Sequence, residues 1–119
     1  MRIQIKLKNL KIEAIYMKNL SIYRGLMFRR KGNAFLEFPK EGNYKIWMLF
    51  VFYPLDLIFI NKNKTVVNII KNTRPITLNP KTWKLYNSRN KFKYLLELDC
   101  RNHSSIFNIG DVLEWHILN

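Results

Sequence analysis

Acidic residues are scarce in this chain. Its 8 Asp and Glu stand against 21 Lys and Arg, a formal net charge of +13. A field of that sign favours polyanions and anionic surfaces without dictating a fold. Cysteine is almost absent: Cys100 is the only one, which excludes an intrachain disulfide and suits a reducing compartment. Gly and Pro number 4 each, and no repeat or low-complexity run occurs, which excludes fibrous and linker-like classes. There is no long hydrophobic run either. The most apolar stretch, 46–60, contains Pro54 and Asp56 and is shorter than the ~20 residues a membrane helix needs. Residues 1–8 alternate polar and apolar side chains instead of building a signal-peptide core. Sequons beginning at Asn19, Asn63 and Asn102 are read as accidents of an Asn-rich chain. The expectation is a soluble, cytoplasmic protein without a transmembrane segment.

What is present is apolar and aromatic content, 48% and 14%, enough to exclude intrinsic disorder. The 119 residues suit one domain with one core. The basic residues are scattered, with short clusters at Arg29-Arg30-Lys31 and Lys62-Asn63-Lys64. Abundant Lys, Ile and Asn points to a coding bias. Two readings of the charge therefore stand: compositional background, or a nucleic-acid footprint.

Ile3, Ile5 and Leu7 alternate with polar residues, the period-two pattern of a half-buried strand. Leu10 to Met17 follows as a second strand. Between Asn19 and Arg29 the apolar spacing turns helical, with Gly25 limiting the helix. Ala34 to Phe38 is a strand closed by Pro39, and 40–43 is a turn around Gly42. Tyr44 to Tyr53, apolar on both faces, suits a central buried strand. Leu55 to Ile60 and Thr65 to Ile70 form a hairpin around Asn61-Lys62-Asn63-Lys64, where Asn tolerates positive φ. Asn72 to Pro80 is an irregular connection, Thr82 to Tyr86 a short strand, and Asn87 to Lys91 a turn. Tyr94 to Cys100 is a strand with Tyr94, Leu96 and Leu98 on one face and Leu95, Glu97 and Asp99 on the other. A polar loop, 101–105, and a turn at Gly110-Asp111 lead into Val112 to Leu118. About eight short strands and one short helical segment predict a mainly β, single-domain sandwich or barrel.

Certain segments recur in a recognisable order: Arg24-Gly25-Leu26-Met27-Phe28-Arg29, Trp47-Met48, Pro54-Leu55-Asp56-Leu57-Ile58-Phe59-Ile60, Pro75, Leu96-Glu97-Leu98 and Ile109-Gly110-Asp111. With that spacing, Leu10 to Leu118 resembles the domain-of-unknown-function 192 family. The resemblance implies a jelly-roll-like β domain and brings no established activity. The chain departs from the pattern twice. Leu49, Phe50 and Val51 stand where many relatives carry a polar Lys-Asn-Thr triplet, and Asp99-Cys100-Arg101 where relatives tend to have a small residue and glycine.

Asp56 shares a strand face with Ile58 and Ile60, and a carboxylate there needs a partner. Arg24 or Arg29 is the expected one, giving either an ion pair that pins the fold or a pocket in which arginine also grips an anionic ligand. Trp47 is read as core, with a stacking platform as the alternative. Glu97 is expected to face solvent and Asp111 to cap a turn. If Asp56, Glu97 and Asp111 converged instead, they would suit acid–base chemistry in a small-molecule enzyme. Asp99, Cys100 and His103 invite a metal reading, but zinc needs three or four ligands and His116 is the only other histidine, so no metal is expected; Cys100 has no visible triad, and no phosphate-cradling Gly-rich loop exists. No cofactor is expected. The leading reading is a non-enzymatic binding module with a small polar or anionic ligand near Arg24, Arg29 and Asp56. The alternative partner is nucleic acid, drawn by net charge.

Overall fold

The computed structural model describes residues 1–18, 32–47, 53–73, 85–103 and 106–118. Its elements in chain order are β1 (Arg2–Leu7), β2 (Leu10–Lys18), β3 (Ala34–Gly42), β4 (Ile46–Trp47), β5 (Leu55–Ile60), β6 (Val66–Thr73), β7 (Leu85–Tyr86), β8 (Phe92–Asp99), α1 (Cys100–His103) and β9 (Glu114–Leu118). The alternation at the N-terminus becomes β1, with Ile3, Ile5 and Leu7 buried and the residues between them turned outward. Across the Lys8-Asn9 turn, Leu7 faces Leu10 and the β1–β2 hairpin is set. Seven strands form one sheet in the order β6-β5-β8-β3-β2-β1-β9, and β4 and β7 form a separate two-stranded sheet. The pairing of β2 with β3 is parallel, and the other named pairings in the large sheet are antiparallel.

The large sheet curls so that its two outer strands meet at one corner. Thr65 bridges Val112, and the backbone bonds Val66 N to Asp111 O (2.8 Å), Gly110 N to Val66 O (2.8 Å) and Leu113 N to Lys64 O (2.9 Å) fasten it. Such closure requires the strands to be staggered around the sheet, and here the beginning of β9 meets the beginning of β6. The result is a half-barrel, the barrel branch of the expectation.

Each face of the sheet has its own core. Inside the curl lie Ile3, Ile5, Ile12, Phe35, Ile58, Ile60, Leu96 and Leu98, plugged by Phe107 and Leu113. On the outer face of β3, β5 and β8 lie Leu36, Phe38, Leu55, Leu57, Phe59 and Leu95, roofed by Ile46, Tyr53 and Tyr86. Burial on both faces explains why β5 reads as a near-continuous apolar run, and all six of its residues are buried.

Several boundaries differ from expectation for physical reasons. β3 continues through Pro39 to Gly42, because the ladder to β8 shifts register between Glu37 and Gly42 and so does not need the missing N–H. Within the expected central strand, Ile46–Trp47 is strand and pairs, among the described residues, with Leu85–Tyr86; Ile46 serves the roof. β6 runs on to Thr73, shortening the irregular connection. Cys100–His103 is a helical turn where a loop was expected. In the hairpin turn the positive φ falls on Lys64 (64°). Asn61 instead uses its side-chain oxygen, accepting from Asn63 N at 2.9 Å and Thr65 N at 3.0 Å. The helical segment expected over 19–29, the triplet Leu49, Phe50 and Val51, and Pro75 lie outside the described residues.

Candidate functional site

Asp56, Glu97 and Asp99 lie where β5 and β3 begin and β8 and β6 end. Register places Leu55 opposite both Asp99 and Thr73, and Glu97 between Ala34 and Leu57. The Thr73 hydroxyl stitches this end, donating to Leu55 O at 2.9 Å.

Asp56 lies inside the curl with Ile58 and Ile60, as the alternation predicts, and is 3% exposed. Its partner among the described residues is a backbone amide. The β5–β6 register slips between Leu55 and Leu57, and Asn72, at φ 54°, turns its N–H onto Asp56 Oδ1 at 2.8 Å. The carboxylate thus satisfies an amide that the bulge removes from the ladder. Asp56 and Lys71 lie among apolar Ile58, Ile69, Leu98 and Phe107, in a surface crease with no enclosed volume. Arg24 and Arg29, the partners expected from the sequence, lie outside the described residues.

Glu97 corrects the solvent-facing expectation. It is 5% exposed, on the outer sheet face beneath the layer that carries Tyr53. Among the described residues none donates a hydrogen bond or sets a cation against it. Burial alone pushes its carboxyl up to about 7, so near neutrality the acid is substantially protonated.

Asp99 shares that face and is 1% exposed. It accepts from Arg101 Nε at 2.8 Å, Nη2 at 2.7 Å and the Arg101 backbone N at 3.2 Å. The Arg101 side chain foremost, and the Gly32 backbone further, hold its carboxyl below the usual range. The guanidinium lies 5.0 Å from the centre of the Tyr53 ring, whose hydroxyl donates to Gly32 O at 2.7 Å. Asn33 Oδ1 receives the Asp99 N–H at 2.9 Å. The departure from the family pattern at 99–101 is therefore a fork-on-carboxylate pair two residues apart. Since folding lowers the Asp99 pKa, its stabilisation is present above the unfolded carboxylate value and lost as pH falls through it. Asp99→Asn should consequently flatten the loss of stability below about pH 4, measured by urea unfolding across the acid range.

Cys100 donates its thiol to Pro54 O at 3.4 Å. Burial first, then the charges of Asp56 and Asp99, push its pKa up, the reverse of what a thiolate nucleophile requires. Asp111 sits at the far corner and caps its turn as expected, receiving Asn108 N at 2.8 Å. The carboxylates of Asp56, Glu97 and Asp111 do not converge: the first two point to opposite faces, and the third lies at the other end of β6. Trp47 is placed in β4 by its backbone. No group of metal-ligating residues occurs among the described residues. Tyr53, Asn33 and the Asp99–Arg101 pair were not singled out from sequence; an Asp-x-Arg spacing after Leu96-Glu97-Leu98 was the available signal.

This arrangement can be set beside known proteins. The family model DUF192, described as an uncharacterized ACR, matches residues 3–115. A UPF0127 protein of Pyrococcus abyssi is 31% identical over 96 residues, covering 76% of this chain and 74% of its own length. Another from Pyrococcus furiosus is 30% identical over 114 residues, covering 92% and 91%. Among solved structures, a Sinorhizobium meliloti protein provisionally described as a transcription regulator superposes with TM-score 0.78 at 23% identity, over 96% of this chain and 92% of that one. A protein of unknown function from Novosphingobium aromaticivorans gives 0.75 at 18% identity, over 97% and 84%. The half-barrel is thus a shared fold, and the chain belongs to the DUF192 family.

Proposed function

We propose that this chain is a non-enzymatic binding module that holds a small polar or anionic ligand where β3, β5 and β8 meet, at Glu97 and Asp99. The observation that carries the reading is Glu97, a buried acid with neither donor nor cation among the described residues. A protonated carboxyl donates a hydrogen bond, so it complements a carboxylate or phosphate oxygen. The cations of the site are Arg24 and Arg29 in this reading. They precede Gly32 in sequence, and the Gly32 backbone touches both Tyr53 and Asp99. Arg101, already paired with Asp99, forms a wall with Tyr53, while Asp56 and Asp111 support the backbone on which the site stands.

The test is thermal unfolding with added phosphate or citrate at about pH 6 and about pH 8, either side of the Glu97 transition. In the wild type the anion should raise Tm more at the lower pH. Glu97→Gln, whose amide still donates, should keep the rise at both pH values. Glu97→Leu should lose it. The reading fails if neither anion raises Tm, or if the rise survives in Glu97→Leu, as general attraction to a basic protein would have it.

A further inference from the structure

The end of the sheet away from Glu97 carries a rim of lysines. Lys18 ends β2, Lys40 lies near the end of β3, Lys62 and Lys64 occupy the β5–β6 turn, and Lys91 and Lys93 border the start of β8. Register brings these positions together: Glu37 and Ile60 both face Tyr94, Gly42 faces Phe92, and Val66 faces Ile60. All six are exposed except Lys93, which is half-buried.

The carboxylates on this rim are already engaged. Glu37 accepts the Tyr16 hydroxyl at 2.5 Å and Lys93 Nζ at 3.0 Å, with Lys18 Nζ at 4.0 Å. Glu41 accepts the backbone N–H of Lys62 at 2.8 Å. Among the described residues no carboxylate lies in ion-pair reach of Lys40, Lys62, Lys64 or Lys91. Between the lysines, half-buried Tyr94 and Trp115 pack with ring centres 4.7 Å apart. Lys93 Nζ stands 4.9 Å from the Tyr94 ring centre, and Lys64 Nζ 5.0 Å from that of Trp115.

We infer that this rim binds single-stranded nucleic acid, with lysines on phosphates and Trp115 and Tyr94 as stacking surfaces for bases. A base stacked on an aromatic side chain outweighs an exposed ammonium over an indole. A base therefore displaces Lys64 from Trp115, and the freed ammonium moves to a phosphate. No helix among the described residues is long enough to fill a major groove: α1 is a single turn of four residues.

The experiment uses fluorescence anisotropy of a labelled polyuridine of roughly 12 nucleotides, within the span one small β domain covers, titrated at low salt. Lys62→Glu/Lys64→Glu should weaken binding by roughly tenfold or more and lower the salt slope by about two phosphates' worth. Lys71→Glu, toward the other end of β6 from Lys64, should bind within about twofold of wild type, against a several-fold loss for Lys64→Glu alone, circular dichroism confirming the fold of each. Equal loss in the two single variants would mean diffuse attraction and overturn the proposal. So would no binding at all, or rim-dependent binding of anionic phospholipid vesicles without binding of the oligonucleotide.

Discussion

Glu97→Gln should stabilise the domain by on the order of 3 kcal/mol at about pH 8 and leave it nearly unchanged at about pH 4. The carboxyl titrates at 4.5 when free and at about 7 when folded. A group whose folded pKa is raised contributes its full share only below the unfolded value. That share is lost as pH climbs through the folded value, because the buried acid must then ionise. At about 1.4 kcal/mol per pKa unit, the ionised form is disfavoured by roughly the amount stated. Glutamine keeps the shape and never ionises. Urea midpoints measured between pH 4 and pH 9 should slope downward in the wild type and lie flatter in the variant. Parallel curves would mean that Glu97 is compensated, and the proposed ligand site would lose the observation on which it stands. The same substitution separates folding from binding: a more stable protein that responds to anions at alkaline pH more than the wild type does is a result that no purely structural Glu97 produces.

Phe35→Ala should cost about 3–5 kcal/mol, the range for emptying an aromatic site in a packed core. Phe35 is 0% exposed and stands at the centre of the curl, its ring 4.8 Å from Trp115, 5.6 Å from Tyr94 and 6.3 Å from Tyr16. These three rings come from β9, β8 and β2, so the phenyl joins strands from both arms of the sheet. The space it leaves is bounded by backbone that is hydrogen-bonded on several sides and closes poorly. Against a usual domain stability of about 5–15 kcal/mol, much of the margin disappears. The urea midpoint should fall with the m-value unchanged. A cost below about 2 kcal/mol would show instead that β9 collapses inward and that the interior is less rigid than its ring geometry implies.

How much of this was legible beforehand depends on whether the controlling signal was local. Leu55–Ile60 has the bounds that its apolar run and flanking turn suggest, and the faces of β5 and β8 follow from simple alternation. Alternation places Glu97 beside Leu95, yet it cannot tell that a second layer roofs that face. The roof comes from Ile46, Tyr53 and Tyr86, distant in sequence. The need of Asp56 for a partner was readable, whereas the partner it has among the described residues is a backbone amide freed by a bulge, and no residue type announces it. Asp99 and Arg101 looked like a loop departure because nothing local marks the turn at which β8 stops. The family motifs order the strands without revealing which motif acids meet. The curl hides best of all, since Thr65 and Val112 carry no mark of their contact.

The pairing of Arg2 with Leu118 and of Lys6 with Glu114 joins stretches almost a full chain length apart. On the ribosome, β1 and β2 can form their hairpin early, but the outer edge of β1 waits for β9, which is made much later. Until then it is an open edge of the kind that recruits neighbouring chains. Such long-range closure also places the domain among slow folders. The β1–β9 pairing therefore sets a vulnerable interval during synthesis, one that ends only when β9 seals β1.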